Sequence, residues 1–326
     1  MDIEEVKERV KRIREEIGQD VSSGPRIKWV RDDEVLIICG YHRSDKSMLI
    51  GPGGWVAGKL SEEIGKPVTV IESTEEIVSE LKRLESLNTI EKLLKKATGE
   101  NKDILEFFRD YIHGKRKTID REITVAVSYS GGSDSTATMY LLNEMGFKVV
   151  ALTYYPSDMI VPKRTRSIIQ NVVAHLSVPH EYIEGDISEI IKGALEGRYH
   201  PCGRCHKHME DVIIKATKER GISAIAFGDL LPTGSQTILI RDGMIRINLP
   251  SLLALKKKDM KYLSNRIPGY ESPGFGCPLL KEVHRLHPSK KFFTAHRVLR
   301  EVRAGVLESN EGLSSIRSIF SHFERD

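Results

Sequence analysis

Apolar positions at the start of the chain follow helical spacing first and strand spacing next. Two runs of β-branched and aromatic residues flank Asp32-Asp33, and this arrangement predicts a β-hairpin. A glycine-rich loop, a helix and a last strand follow. The predicted elements are a helix over 3–17, strands over 26–31 and 34–40, a short helix, a helix over 55–64 and a strand over 67–72. This order predicts a small α+β domain over residues 1–73.

The spacing of apolar residues is helical from 74 to 113, with an interruption near Gly99, so we expect a helical connector over 74–120. From Arg121 onward, short β-rich runs alternate with helical segments. Strands are predicted over 123–129, 148–155, 180–183 and 224–227, and helices up to 145, over 162–176 and over 205–220. Such alternation predicts an α/β fold, a parallel sheet with helices on both faces, over residues 121–288. Basic C-terminal helices are expected over 289–326.

Composition narrows the class of protein. The chain has 326 residues, 40% of them hydrophobic and 29% charged, which is typical of a soluble globular protein with two domains. No apolar run approaches the roughly 20 residues needed to span a bilayer, and the charged N-terminus does not resemble a signal peptide. We therefore expect a cytoplasmic protein without membrane contact. The sequence leaves a homodimer open.

Charge alone does not identify a partner. The net charge of +4 is too small to indicate nucleic-acid binding by itself. Between Lys281 and Arg303, however, seven Lys or Arg residues stand against two Glu residues. Such a basic stretch suits phosphate groups, although an ordinary solvated surface would have the same composition.

A Ser/Gly-rich hexapeptide, Ser130-Gly131-Gly132-Ser133-Asp134-Ser135, stands between the first predicted strand of the α/β domain and its helix. Glycines let the backbone approach an anion, and the first N–H groups of a helix are unpaired donors at its positive end. The segment lacks the Lys of a Walker loop. A flexible turn is the plain alternative.

The hexapeptide in this context resembles the PP-loop of ATP pyrophosphatases, also called adenine nucleotide alpha hydrolase-like proteins. The resemblance implies ATP and Mg²⁺ as ligands and AMP and pyrophosphate as products. Asp134 is then the expected metal-positioning or phosphate-positioning residue with a catalytic role. The residues expected to bind ATP are Ser130, Gly131, Gly132, Ser133, Asp134, Ser135 and Asp229.

A second glycine-rich loop, Ile50-Gly51-Pro52-Gly53-Gly54, lies in the N-terminal segment between two predicted helices. With the order of elements around it, this loop resembles the GxxG loop of a type II KH domain, which implies binding of single-stranded RNA backbone. The alternative is a KH-like fold that serves only for packing. Pro52 departs from the basic residue often found in such loops. The expected RNA contacts are Gly51, Pro52, Gly53, Gly54, Arg43 and Lys59, with Lys46 nearby.

Three of the four cysteines, Cys202, Cys205 and Cys277, form a C-x-x-C pair and a distant third thiol. Cysteines at this spacing favour zinc, an iron–sulfur cluster or redox chemistry. The order resembles that of PP-loop tRNA thiolases of the two-thiocytidine and two-thiouridine type. In that family three cysteines hold a [4Fe–4S] cluster, so the resemblance implies metal-binding and catalytic roles for all three. Cys39 lies in an apolar run and is expected in the core.

Two other arrangements of these cysteines remain. His200, His206 or His208 could complete a Cys₃His zinc site with a structural role. Alternatively, Cys202 or Cys205 could carry a persulfide that Cys277 resolves as a disulfide.

Two further segments have a weaker similarity to the PP-loop thiolases. Gly228-Asp229 follows the strand 224–227 where the thiolases have a Gly-His motif, and the His is absent here. The segment Arg246-Ile247-Asn248-Leu249-Pro250 resembles their Arg-x-x-Pro-Leu strand end in altered order. Both segments could be ordinary turns.

The resemblance as a whole implies an ATP-dependent tRNA sulfurtransferase that adenylates a base carbonyl and replaces its oxygen with sulfur. RNA, with tRNA as the expected substrate, and a sulfide or persulfide donor would be its partners. One alternative is an adenylating enzyme that transfers an amine or ammonia and has structural zinc. The other is an RNA-binding protein that only senses nucleotide.

Overall fold

The computed structural model describes residues 1–273 and 276–321. The chain forms two compact units, Met1–Leu81 and Lys82–Asp326. Gly274 and Phe275, which belong to the predicted segment before Cys277, lie outside the described residues, as do the last five residues of the predicted C-terminal region.

The first unit contains the six elements predicted for it, in the predicted order. They are α1 (Ile3–Glu16), β1 (Ile27–Asp32), β2 (Leu36–Gly40), α2 (Arg43–Ile50), α3 (Trp55–Ile64) and β3 (Val68–Glu72). The sheet order is β1-β2-β3, with β1 antiparallel and β3 parallel to β2. Residues spaced by three and four on α1, Val6, Val10 and Ile13, are fully buried in its core. Classification of this unit as a KH domain stays a prediction.

Two helices occupy the stretch predicted as a connector, α4 (Ser73–Leu94) and α5 (Gly99–Ile112). In α5, Phe107 and Phe108 are fully buried, and their rings lie 5.1 and 5.9 Å from that of Phe147. The second helix of this stretch is therefore part of the core of the second unit, because its aromatic face covers the sheet.

The second unit is built on a six-stranded sheet in the order β6-β5-β4-β7-β9-β8. Its strands are β4 (Thr124–Ser128), β5 (Lys148–Tyr155), β6 (His180–Glu184), β7 (Ala224–Phe227), β8 (Ile238–Arg241) and β9 (Met244–Asn248). All neighbouring pairs are parallel except β8 and β9. The predicted parallel sheet is confirmed, with this one antiparallel edge hairpin added. Asp242 and Gly243 turn the hairpin with φ angles of 51° and 76°, as a two-residue type I′ loop requires.

Side chains alternate between two cores along the central strands. Val125 and Val127 of β4 lie in one core with α5, whereas Ala126 lies in the other with Ile213. Because successive strand residues point to opposite faces, both faces of the sheet are covered by helices. The α/β class predicted from the sequence is confirmed.

Up to residue 220, the helices that follow β4 match the predicted alternation, except for an additional helix over Ser188–Leu195 that was not predicted. The helices after β4 are α6 (Ser133–Glu144), α7 (Lys163–His175), α8 (Ser188–Leu195), α9 (Pro201–Glu219), α10 (Leu249–Leu252), α11 (Lys257–Asn265), α12 (Pro278–Leu286), α13 (Lys290–Arg303) and α14 (Ser309–Phe320). The prediction for α9 was wrong by four residues at its start, since Pro201 occupies a position that suits the first turn of a helix. None of the helices in the described ranges is both long enough and apolar enough to cross a membrane.

Candidate active site

The Ser/Gly-rich loop connects the carboxyl end of β4 to the start of α6. Its two outer serines hold it closed, because the Ser130 N–H donates to Ser135 Oγ at 3.1 Å and the two hydroxyls lie 3.1 Å apart. The Ser135 hydroxyl also reaches the Gly132 carbonyl at 3.2 Å. The loop is thus shaped by its own side chains at the positive end of a 12-residue helix.

The structure requires glycine at only one of the two glycine positions of this loop. Gly131 has a φ of 75°, and a Cβ there would lie 3.0 Å from Ile169 Cγ1. Gly132 has an ordinary φ of −77°, and a Cβ there would meet only Ser130 Oγ, at 3.5 Å. Backbone conformation therefore requires glycine at 131, whereas the fold itself leaves room for a side chain at 132.

Asp134, in the first turn of α6, forms an ion pair with Lys257 at the start of α11. The Lys257 ammonium donates to both carboxylate oxygens, at 2.8 and 2.6 Å. Sequence analysis did not single out Lys257, which stands in a run of three lysines far along the chain from the loop. A cation is thus fixed directly beside the loop.

Gly228, at the end of β7, packs directly against the same helix start. A Cβ on Gly228 would lie 2.8 Å from the backbone of both Asp134 and Ser135. The next residue, Asp229, is half-buried, with 35% of its side chain exposed. Loss of hydration raises the pKa of its carboxyl, with the His206 and Arg246 charges opposing the shift. Asp134 is close enough to raise this pKa further. The structure therefore brings the predicted Asp229 next to the loop.

Arg246 of β9 links Asp229 to the C-x-x-C helix. Its guanidinium lies 3.7 Å from the Asp229 carboxylate, forms an ion pair with Glu210 of α9 and lies over the ring of Phe227 at 4.3 Å. Glu210 is also 3.8 Å from His206. The Arg246 segment is therefore more than a turn, because this side chain connects two strands, β7 and β9, with α9.

Cys202 and Cys205 lie three residues apart in the first turn of α9, so both thiols are on one side of that helix. Cys277 precedes α12, and its Sγ accepts from the Leu280 N–H at 3.4 Å. Burial raises the pKa of Cys205 to about 11, and the charges of Cys202 and Cys277 add to the shift. All three are free thiols. The structure thus gathers the three predicted cysteines in one neighbourhood, whereas Cys39 is buried in the first unit as predicted.

A cavity of about 260 Å³ lies beside these thiols. Its lining includes Cys202 and Cys277 together with Arg297 and Glu301 of α13. Burial raises the pKa of the Cys202 thiol, and the positive charge of Arg297 opposes this shift. Burial also raises the pKa of Glu301, with the Lys257 charge opposing and the Asp134 charge adding to the shift. Sequence analysis missed Arg297 and Glu301 as site residues, although it recognised the basic stretch that contains Arg297.

The three histidines proposed as zinc ligands have other neighbours. His200 hydrogen-bonds to Thr294 Oγ1 at 2.9 Å, and burial lowers its pKa to about 4. His206 faces Glu210, and the His208 ring lies 5.8 Å from that of Tyr154. Within residues 1–273 and 276–321, no group of three or more His, Cys, Asp or Glu side chains is arranged to hold a metal ion. Cys202, Cys205 and Cys277 suit a soft metal by the chemistry of their thiols, but the structure does not place the three at the spacing of metal ligands.

Similar proteins were found by sequence. Uncharacterized protein MJ1638 of Methanocaldococcus jannaschii is 35% identical over 231 residues, which cover 70% of this chain and 83% of that protein. The tRNA-cytidine(32) 2-sulfurtransferase of Legionella pneumophila (strain Paris) is 31% identical over 43% of this chain and 52% of its own length. The tRNA-specific 2-thiouridylase MnmA of Pelobacter propionicus is 29% identical over 42% of this chain and 40% of its own. The chain belongs to the PP-loop family.

The match to the two tRNA-modifying PP-loop enzymes spans about half of their length or less. No family model matches the chain. Among solved structures, the U34-tRNA thiolase NcsA from Methanococcus maripaludis with its [4Fe-4S] cluster covers 76% of this chain and 81% of its own, at 14% identity and a TM-score of 0.36. A TM-score at that level supports no argument about fold or site.

The first unit has a glycine-rich loop of its own, formed by residues 51–54. Gly51, Gly53 and Gly54 have φ angles of 73°, 61° and 82°, and Pro52 and Gly53 are exposed. Lys46 pairs with Glu75, and Lys59 lies 3.7 Å from Glu62.

Two further side chains at this loop are exposed. Arg43 is exposed, and so is Trp55, at 58%, directly after the loop. Sequence analysis did not single out Trp55. The loop is therefore accessible, with an aromatic side chain beside it.

We predict that Gly228→Ala lowers the free energy of unfolding of the PP-loop unit by about 1–3 kcal/mol, because the new methyl group would overlap the backbone at the start of α6. Gly203→Ala is the control, since an added Cβ there meets nothing within 4 Å. Urea unfolding followed by far-UV circular dichroism measures both. Equal stability of Gly228→Ala and the parent protein would contradict the close packing.

Proposed function

We propose that the protein is an ATP-dependent, AMP-forming tRNA sulfurtransferase. The observation that supports this most directly is the PP-loop and three thiols in one unit, linked through Asp229, Arg246 and Glu210. The names of the tRNA-modifying relatives agree with it. ATP is the activating substrate, and a base carbonyl of tRNA is the group that is adenylated.

The PP-loop residues would bind and orient ATP. The N–H groups at the start of α6 and the hydroxyls of Ser130 and Ser135 would hydrogen-bond to the phosphates. Asp134 would hold Mg²⁺, and Lys257, which pairs with Asp134 in the structure, would then contact the phosphates instead. Developing charge on the departing pyrophosphate is then stabilised by fixed donors that need no rearrangement. The base oxygen attacks the α-phosphorus, pyrophosphate leaves, and AMP later departs with that oxygen when sulfur attacks the activated carbon.

Cys202, Cys205 and Cys277 would hold a [4Fe–4S] cluster. Such a cluster with three protein thiolates has one iron without a protein ligand, which can bind sulfide. The raised pKa values of Cys202 and Cys205 mean that these thiols are protonated at neutral pH without metal, so binding would release protons. Arg297 would then neutralise part of the negative charge of the thiolates at the cysteine cavity.

Part of the RNA binding would lie in the first unit. The first unit offers the loop 51–54 for single-stranded backbone and Trp55 for stacking. Sulfide or a persulfide carrier would supply the sulfur. We also propose that the chain acts in the cytoplasm.

We expect Gly132→Val to slow formation of AMP and pyrophosphate about 10- to 100-fold, because a branched side chain would keep the phosphates away from the loop N–H groups, whose charge-assisted hydrogen bonds contribute about 1.5–3 kcal/mol each. Gly132→Ala should have a smaller effect. Assays with tRNA present and radiolabelled ATP give the rates, and circular dichroism checks the fold. A normal rate in Gly132→Val would show that ATP does not bind at this loop.

The cluster predicts about four irons per chain after anaerobic purification or reconstitution. Each single substitution of Cys202, Cys205 or Cys277 by Ala should remove the iron and the thiolated nucleoside, whereas Cys39→Ala should keep both. Iron and acid-labile sulfide analysis, visible absorption and mass spectrometry of tRNA nucleosides provide the measurements. One zinc per chain in the anaerobic protein, with ATP turnover unchanged by all three substitutions, would favour amine transfer instead.

The RNA role of the first unit predicts weaker and less salt-dependent RNA binding when Pro52 and Gly53 are both replaced by Asp. Two carboxylates would repel backbone phosphates, and Asp tolerates the left-handed φ of Gly53. Gly53→Asn is the uncharged control. Filter binding of tRNA at several salt concentrations is the measurement, and an unchanged affinity and salt slope would remove this loop from the RNA site.

A further inference from the structure

Helix α13 exposes two adjacent aromatic side chains. Phe292 is 68% exposed and Phe293 57% exposed. The face that packs against the protein is formed by other residues, among them Thr294, Ala295 and Val298. Among the residues that the structure describes, these two rings have ring contacts with Phe320 and His200 only, and most of their surface is open to solvent.

Phe293 directly precedes Thr294, a residue that lines the cysteine cavity. Its ring centroid is 6.3 Å from that of His200, and Lys290 Nζ lies 5.6 Å from it. The next residue, Thr294, lines the cavity together with Cys202. Thr294 Oγ1 is fixed by two imidazoles, those of His200 at 2.9 Å and His284 at 2.8 Å. The aromatic ring is thus held one residue from the cavity wall.

The same helix is strongly basic. It contains five Lys or Arg residues and one Glu. Arg297, Arg300 and Arg303 are exposed, and Arg297 also lines the cavity. Exposed aromatic rings among positive charges are the combination with which proteins bind single-stranded nucleic acid, since rings stack on unpaired bases and the charges contact phosphates.

We propose that Phe293, flanked by Lys290 and Arg297, stacks on an unpaired nucleotide of the RNA substrate next to the cysteine cavity. This inference rests on the proposed function and narrows it, because it makes the substrate a single-stranded or loop segment rather than a duplex. Phe292, whose ring lies 5.5 Å from that of Phe320, offers a second stacking surface farther along. A second copy of the chain is the poorer occupant, since its own basic helix would be brought against this one.

The test is fluorescence anisotropy of the full chain with a labelled 12-nucleotide single-stranded RNA and, separately, a 12-base-pair duplex of the same sequence, both without ATP or sulfur donor. Phe293→Ala should weaken binding of the single strand about tenfold, in the range of one lost base stack. Binding of the duplex should change less than twofold, because its bases are not available for stacking.

Two matched variants separate stacking from general apolar contact. Phe293→Trp should bind the single strand like the parent protein, and Phe293→Leu should behave like Phe293→Ala. Leu313→Ala, which removes another exposed apolar side chain, 49% exposed on α14, should change nothing. The series is repeated with Pro52 and Gly53 replaced by Asp, so that binding at the first unit does not hide the loss.

Equal binding of the single strand by Phe293→Ala and the parent protein in both backgrounds would overturn the proposal. So would a dimer, measured by sedimentation, that Phe293→Ala converts to monomer without loss of RNA affinity, because the surface would then serve a second copy. Failure of the proposed function gives a different result: no thiolated nucleoside forms, yet the difference between single strand and duplex remains.

Discussion

The contact between Gly228 and the start of α6 fixes the geometry of the site. No side chain fits between the end of β7 and the backbone of Asp134 and Ser135. β4 and β7 are neighbouring parallel strands, so their carboxyl ends lie next to each other at the same edge of the sheet. The loop at the start of α6 and the carboxylate of Asp229 then lie side by side. Ligands of parallel α/β sheets bind at this edge, and here the tight backbone packing determines which groups meet there.

Electrostatics connect this edge with the thiols. Asp134 is paired with Lys257, and the charges of both act on Glu301, which shares a cavity with Cys202 and Cys277. In a second set of ion pairs, Arg246 interacts with both Asp229 and Glu210. These charges are half-buried, and the opposite charge beside each of them offsets part of the hydration that it has lost. A change of charge at the loop therefore acts on the groups around the cysteines through two separate sets of ion pairs.

Local patterns in the sequence predicted most of the strands of the sheet and the position of the loop formed by residues 130–135. β-Branched runs marked the parallel strands, and the hexapeptide between one strand and a helix marked the loop. The edge hairpin was missed although Asp242-Gly243 between two apolar runs is a hairpin pattern. The start of α9 was misplaced because Pro201 was not weighed as a first-turn residue.

Lys257, Arg297 and Glu301 could not be found from local patterns. They stand on helices after the sheet, where nothing in the spacing of charges distinguishes a site residue from a solvated one. Only the path of the chain brings them to the loop and the thiols. Gly228 is a similar case, since its need for glycine comes from a backbone more than ninety residues earlier in the sequence.

The placement of Arg297 and Glu301 on α13 has a consequence for biosynthesis. A ribosome adds about 5–20 residues per second, and Arg297 follows Cys277 by twenty positions. During translation, all three thiols are therefore complete roughly one to four seconds before the guanidinium that lines the same cavity is made. The wall that α13 gives the cysteine cavity can thus be added only after every segment that carries a thiol has been synthesised.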